Sequence, residues 1–211
     1  MVSLPYADRA DAGRALAAQL GHLRDQKVVV LGLPRGGVPV AAEVASALDA
    51  PLDVLVVRKL GVPWQPELAM GAVASGDVRV LNPDVLAAAA VSAEDLAAVT
   101  ERERVELRRR EAAYRGDRPP VPVAGAIVVL VDDGLATGAS AAAAIQAARA
   151  REPASVVLAV PVGAAEIVHK LSKLADEVVC AATPRRLVAV GRHYLDFSPV
   201  PDGEVRRILA G

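Results

Sequence analysis

The segment Ile127–Ser140, IVVLVDDGLATGAS, constrains the fold of this chain more than any other. The run Ile127–Val131 is apolar throughout and too short for a buried helix, so it reads as a strand covered on both faces. It ends on two carboxylates, Asp132 and Asp133, followed by the loop Gly134–Gly138, whose residues are small apart from Leu135. An alanine-rich helix is predicted at once, from Ala139 to Ala150. A buried strand, a tight loop and an immediate helix make up the repeating unit of a parallel α/β sheet.

The rest of the chain supplies more such units. Asp8 to Leu23 reads as a helix with Leu16, Leu20 and Leu23 on one face. Val28–Leu31 is a second apolar strand, followed by the loop Gly32-Leu33-Pro34-Arg35-Gly36-Gly37 and a helix from Pro39 to about Leu48. Leu52–Val57 reads as a strand ended by Arg58-Lys59. Gly61–Glu67, with Pro63 and Pro66, reads as a loop, and Ala69–Ser75 with Val78–Leu81 as a hairpin turned at Gly76-Asp77. Helices are expected from Pro83, capped by Asn82, and from Ser92 to about Tyr114. The second is densely charged, which suits a solvated helix with i,i+4 ion pairs; that reading outweighs an RNA contact by Arg108-Arg109-Arg110. Ser155–Val162 and Glu177–Ala181 complete the strands, Ala164–Leu174 is a helix, and Gly203–Leu209 closes the chain.

Composition narrows the class. The chain has 211 residues, which fits one domain over 1–211, with a core of about 26–181 and a small hood from 1–25 and 182–211. A net charge of −1 gives no global field for nucleic acid. The single cysteine, Cys180, allows no disulfide within the chain and suits a reducing, cytoplasmic setting. It is expected to be buried and inert. No secretory leader and no membrane span are expected.

The chemistry centres on the opening segment. Ligands of open parallel sheets sit at the carboxyl ends of the strands. A helix start offers free N–H groups and a positive dipole end, which suit a phosphate. Gly138 lets the backbone approach, and Thr137 and Ser140 add hydroxyls. Asp132 and Asp133 would repel that phosphate, so they address another part of the ligand. Vicinal sugar hydroxyls are natural donors to them, and a phosphorylated ribose fits both halves. The bland alternative, helix capping by the aspartates, explains Asp132 alone but not the whole segment. The Lys-Ser/Thr of a P-loop is absent, and the glycines after Val28–Leu31 lack dinucleotide spacing. A carboxylate-held metal stays open, although the chain has only three histidines, at 22, 169 and 193.

The segment resembles the signature of type I phosphoribosyltransferases that binds 5-phosphoribosyl-1-pyrophosphate (PRPP). The Arg35-Gly36-Gly37 loop is similar to that family's pyrophosphate loop. Arg58-Lys59-Leu60-Gly61-Val62-Pro63 is similar to the segment leading into its catalytic loop. The likeness is strongest to bacterial members of unassigned acceptor. It implies an α/β, Rossmann-like fold: a central, mainly parallel sheet with helices on both faces and a small hood.

The resemblance also implies roles. Asp132 and Asp133 would bind the ribose hydroxyls. Ala136, Thr137, Gly138, Ala139 and Ser140 would hold the 5′-phosphate, and Arg35, Gly36 and Gly37 the pyrophosphate. Lys59 with Arg58 would neutralise the leaving group, and Mg²⁺ would be held mainly by PRPP. The acceptor would be a nitrogen compound. Ala136 stands where hypoxanthine/guanine members carry an Asp, which argues against a 6-oxopurine. Trp64, Tyr194, Asp196 and Phe197 are candidate acceptor contacts, and Gly61–Gly76 is a candidate lid. A homodimer is implied, as is a cis peptide between Pro34 and Arg35. The alternative function is a PRPP-binding or RNA-binding regulator that kept the fold without turnover.

Overall fold

The computed structural model describes residues 4–211, so residues 1–3 of the expected hood lie outside it. In chain order the elements are α1 (Arg9–Ala17), β1 (Val28–Gly32), α2 (Gly37–Leu48), β2 (Leu52–Val54), β3 (Val57–Val62), β4 (Gln65–Ala74), β5 (Val78–Leu81), α3 (Pro83–Ala88), α4 (Ala93–Arg115), β6 (Ile127–Val131), α5 (Ala139–Arg149), β7 (Ser155–Val162), α6 (Ala165–Leu171), β8 (Glu177–Ala182) and α7 (Asp202–Ala210).

Five parallel strands form the central sheet in the order β2-β1-β6-β7-β8. Successive strand residues face opposite sides, and both sides are buried. Val29, Leu31, Val128, Leu130 and Leu158 pack against Ala144, Ile145 and Ala148 of α5. Val28, Val30, Val129, Val131 and Val157 pack against Leu16 of α1 and against Val40, Ala41 and Val44 of α2. This is why the strands read as unbroken apolar runs rather than alternating ones. The strand order turns back between β1 and β6, and the carboxyl ends of strands at such a point are the usual ligand position in open parallel sheets.

A second sheet, β3-β4-β5, is antiparallel. Its Leu60, Val62, Met70 and Val73 form a separate cluster with Val99, Leu107 and Tyr114 of α4 and Val205 and Leu209 of α7. Asp53 of β2 is buried and anchors α4. Its Oδ1 accepts from Arg115 Nε at 2.7 Å and its Oδ2 from Val121 N at 3.0 Å. Arg115 also donates to Glu111 and to the Val54 carbonyl.

Three expectations need correction. The first helix stops at Ala17, and Gly21–Leu23 forms a separate 3-10 turn that returns Leu23 to the core. The predicted strand Leu52–Val57 is divided. Pairing with β1 ends at Val54, and the Val56 N–H donates to Ser75 Oγ as the chain leaves for the antiparallel sheet. The expected loop Gly61–Glu67 is mostly strand, turning only at Pro63-Trp64, with an irregular register at Gly61. Gly61 is needed there because a Cβ would overlap the Pro66 backbone.

The other elements match their predicted positions to within a few residues, apart from the earlier end of α6 at Leu171. Asn82 caps α3, accepting from Val85 N, and Ser92 caps α4, accepting from Asp95 N. The charged face of α4 pairs with itself: Arg108 bonds Glu101, and Arg109 and Arg110 both bond Glu106. Among the described residues no helix is long and apolar enough to cross a membrane.

Candidate active site

At the carboxyl end of β6 the chain turns sharply, and Asp132 Oδ1 accepts the Asp133 N–H at 2.9 Å. The following loop is pinned to β7: Leu135 N donates to Val162 O, and Ala164 N donates to Leu135 O. Gly138 adopts a left-handed conformation (φ 73°) at the start of α5, without a side-chain cap. A first helical turn leaves amides without helical partners, so the exposed stretch Ala136–Ser140 can offer N–H groups and hydroxyls to an anion.

The loop after β1 lies against this corner. Leu33 N donates to Val131 O at 2.8 Å, and the Pro34–Arg35 peptide is cis, as the resemblance implied. The approach is too close for side chains. A Cβ at Gly37 would stand 2.5 Å from the Val131 carbonyl oxygen, and one at Gly36 would overlap Asp133 Oδ2. Gly36 and Gly37 therefore lie in contact with Asp132-Asp133, at the point where the strand order turns back. Arg35 reaches outward, with Nη1 3.6 Å from Asp202 of α7.

Arg58 and Lys59 separate, as neighbours on a strand must. Arg58 turns toward α4 and pairs with Glu103 at 2.6 Å. Lys59 lines a cavity of about 330 Å³ between the antiparallel sheet and α5, shared with Ser140, Asn82 and Gln146. Its ammonium group rests 3.3 Å from the fully exposed Glu67 carboxylate. Trp64 stands at the β3–β4 turn, 59% exposed.

The terminal segments meet behind the carboxylates. Tyr194 is buried, its ring 5.5 Å from that of Tyr6 and 5.0 Å from that of Phe197. Its hydroxyl donates to the Asp133 carbonyl at 2.6 Å. Asp196 is exposed and caps its own turn by accepting from Ser198 N. Phe197 lies beneath a residue that sequence reading passed over, Arg9, whose guanidinium carbon is 4.0 Å from the ring centre. Arg9 Nε donates to Asp133 Oδ2 at 2.9 Å. Only a ring-bearing tail and an N-terminal arginine hinted at this contact, and nothing local linked them.

With this geometry in view, the phosphoribosyl transferase domain family matches residues 6–192, most of the chain. The chain belongs to the phosphoribosyl transferase family. A Mycobacterium tuberculosis (H37Rv) protein, provisionally named a phosphoribosyl transferase, is 55% identical over 97% of this chain. The alignment covers 46% of that protein, so the chain spans about half the length of the curated relatives it matches. The crystal structure of TT1426 from Thermus thermophilus is similar over 98% of both chains, at 46% identity and a TM-score of 0.88. AQ2163 from Aquifex aeolicus shares the fold at 14% identity and a TM-score of 0.51, over 87% of this chain and 78% of its own. The mainly parallel sheet with helices on both faces is thus the type I phosphoribosyltransferase fold.

The paired carboxylates of this chain have unusual electrostatics. Burial, and then the neighbouring Asp133 charge, push the Asp132 carboxyl up to about 8. Burial also raises Asp133, while the hydrogen bond and charge of Arg9 pull it back down. The effect on stability has a definite sign. A carboxyl whose folded pKa lies above its unfolded value binds more protons when folded, so stability falls as pH rises between the two values. Between about pH 4 and pH 8, Asp132 therefore costs the fold progressively more. Asp132→Asn is expected to flatten the decline of Tm across that window and to raise Tm most at its alkaline end. An unchanged Tm profile in scanning calorimetry would refute this.

Proposed function

We propose that the chain is a Mg²⁺-dependent transferase that moves the phosphoribosyl group of PRPP to a nitrogen acceptor and releases pyrophosphate. The observation that carries this reading is the close contact of the two loops. Two carboxylates, the exposed start of α5 and the Arg35–Gly37 loop converge where β1 and β6 end. Few ligands need vicinal hydroxyls, a monophosphate and a second anion held together, and PRPP has all three.

In this reading Asp132 and Asp133 accept from the ribose hydroxyls, and the Asp133 charge, which Arg9 favours, suits a sugar that becomes cationic at C1. Amides of Ala136–Ser140, with the hydroxyls of Thr137 and Ser140, hold the 5′-phosphate. Arg35 and the amides of Gly36 and Gly37 receive the pyrophosphate. Lys59, whose exposed partner Glu67 holds it weakly, swings in to neutralise the leaving group. The bond from C1 to pyrophosphate oxygen breaks and carries the electron pair to the leaving pyrophosphate, the bond from C1 to the acceptor nitrogen forms, and the nitrogen loses its proton to solvent water. Arg58 is committed to Glu103 and serves better as a brace between β3 and α4.

Among the described residues no group of three or more candidate ligands could cage a metal. In this reading Mg²⁺ arrives on the substrate's own oxygens and keeps several of its waters. When bound it would offset the leaving group's charge. Ala136 offers no acid–base group, which favours an acceptor other than a 6-oxopurine. The Gly61–Gly76 hairpin is the natural lid. Assembly as a homodimer is carried over from the resemblance, and a cytoplasmic setting from the single cysteine.

The test is calorimetric titration with PRPP and Mg²⁺, followed by pyrophosphate release over a panel of nucleobases and small amines. Binding with release for at least one acceptor is expected. Binding without release for any acceptor would identify a regulator that kept the donor site, and no binding would refute the reading.

A further inference from the structure

We propose that Arg9 is the positioning residue for the donor sugar: it holds Asp133 in one orientation, leaving a single carboxylate oxygen to receive a ribose hydroxyl. The inference rests on the functional reading above and extends it to a residue outside every motif so far described.

Three contacts fix Arg9. Its Nε donates to Asp133 Oδ2 at 2.9 Å, and its Nη1 donates to the Ser198 carbonyl at 2.8 Å. Its guanidinium plane lies over Phe197, 4.0 Å from the ring centre. The side chain is only 11% exposed, so the protein itself holds this charge in place. Gly36 closes the same carboxylate from another side: a Cβ there would overlap Asp133 Oδ2 and come within 3.2 Å of Arg9 Nε. Oδ2 is thus enclosed, and Oδ1 is the oxygen left to a ligand. Tyr194 anchors the backbone of the same residue through the Asp133 carbonyl.

Arg9 also settles the charge. Asp132 stands beside Asp133, and burial works against ionisation of both. The bond from Arg9 favours the ionised form of Asp133, whereas Asp132 has no arginine of its own among the described hydrogen bonds. The two carboxylates are therefore inequivalent before any ligand arrives. A ring-stacked guanidinium with two directed bonds is a rigid support, which a lysine's single ammonium cannot reproduce in full.

The test separates the sugar from the anion. Ribose 5-phosphate and inorganic pyrophosphate with Mg²⁺ are titrated separately into wild-type protein, Arg9→Met and Arg9→Lys. Arg9→Met is expected to weaken ribose 5-phosphate about 10- to 100-fold, by analogy with the loss of a partner that orients a metal-ligating side chain. Pyrophosphate, which has no hydroxyl for Asp133, is expected to change less than about twofold on the same scale. Arg9→Lys should recover part of the loss. Should Arg9→Met not fold, Arg9→Lys carries the same comparison with a smaller expected loss.

A parallel fall for both ligands would mean that Arg9 only supports the fold, and unchanged ribose 5-phosphate binding would mean that it does not position the sugar. Either result overturns the inference while leaving the donor site standing, provided wild-type protein binds PRPP. If wild-type protein binds neither PRPP nor ribose 5-phosphate, both readings fall together.

Discussion

Replacing Asp132 and Asp133 together by asparagine is expected to weaken PRPP binding roughly 30- to 2,000-fold. A hydrogen bond to the charged Asp133 is worth about 1.5–3 kcal/mol and one to the largely neutral Asp132 about 0.5–1.5 kcal/mol, and both act on one sugar. The size of the loss comes from polarity as well as number. An asparagine can present its N–H₂ to a ribose hydroxyl, but it cannot offer a negative charge to a sugar gaining positive charge at C1. Turnover should therefore fall further than binding. The double variant should still fold. Its Asp132→Asn change removes a carboxyl that burial and its neighbour disfavour, which offsets the loss of the Asp133–Arg9 pair. Calorimetric titration of PRPP with Mg²⁺, beside thermal unfolding of the same sample, separates the effects. Wild-type affinity in a folded double variant would remove the sugar from these carboxylates.

The second large effect concerns the fold. Arg115→Met is expected to reduce stability by about 3–5 kcal/mol, because it leaves the Asp53 carboxylate buried without its cation. Asp53 is 4% exposed, too deep for water to replace the arginine readily. Typical domains have about 5–15 kcal/mol in total, so the variant would stand near the edge of folding. Pairing Arg115→Met with Asp53→Leu should restore much of the loss, since removing both charges removes the penalty for the orphan. The measurement is the midpoint of urea unfolding for the single and double variants. Equal midpoints for wild type and Arg115→Met would show that the pair contributes nothing net.

Local sequence carried a good deal of this molecule. β6, its loop and α5 were legible because strand, turn and helix are consecutive and each follows from its own residues. β1 and its glycine loop were legible for the same reason. Where long-range pairing decides the structure, reading stopped. Gly61, Pro63 and Pro66 have the composition of a loop, yet the segment becomes a hairpin because Leu60, Val62 and Met70 find a core on α4 and α7. Leu52–Val57 looks continuous, but pairing with β1 is complete at Val54 and Ser75 captures the backbone at Val56. Arg9 was unreadable as a site residue because its partner lies 124 positions away. Tyr194 and Phe197 stood out as rare aromatics, but only the fold shows Tyr194 buried against Asp133 and Phe197 lying under Arg9.

The antiparallel hairpin has one further consequence, for optical measurement. The chain contains one tryptophan, and it stands at the β3–β4 turn with 59% of its surface exposed. Fluorescence excited selectively at the indole therefore reports on that hairpin alone. In the free protein the emission should lie at the red end of the range and be readily quenched by iodide. A ligand that draws the hairpin over the site should shift the emission to the blue and shield it from the quencher. A ligand that occupies the site without moving the hairpin should leave both unchanged, so one spectrum distinguishes occupancy from closure without a label or a substitution.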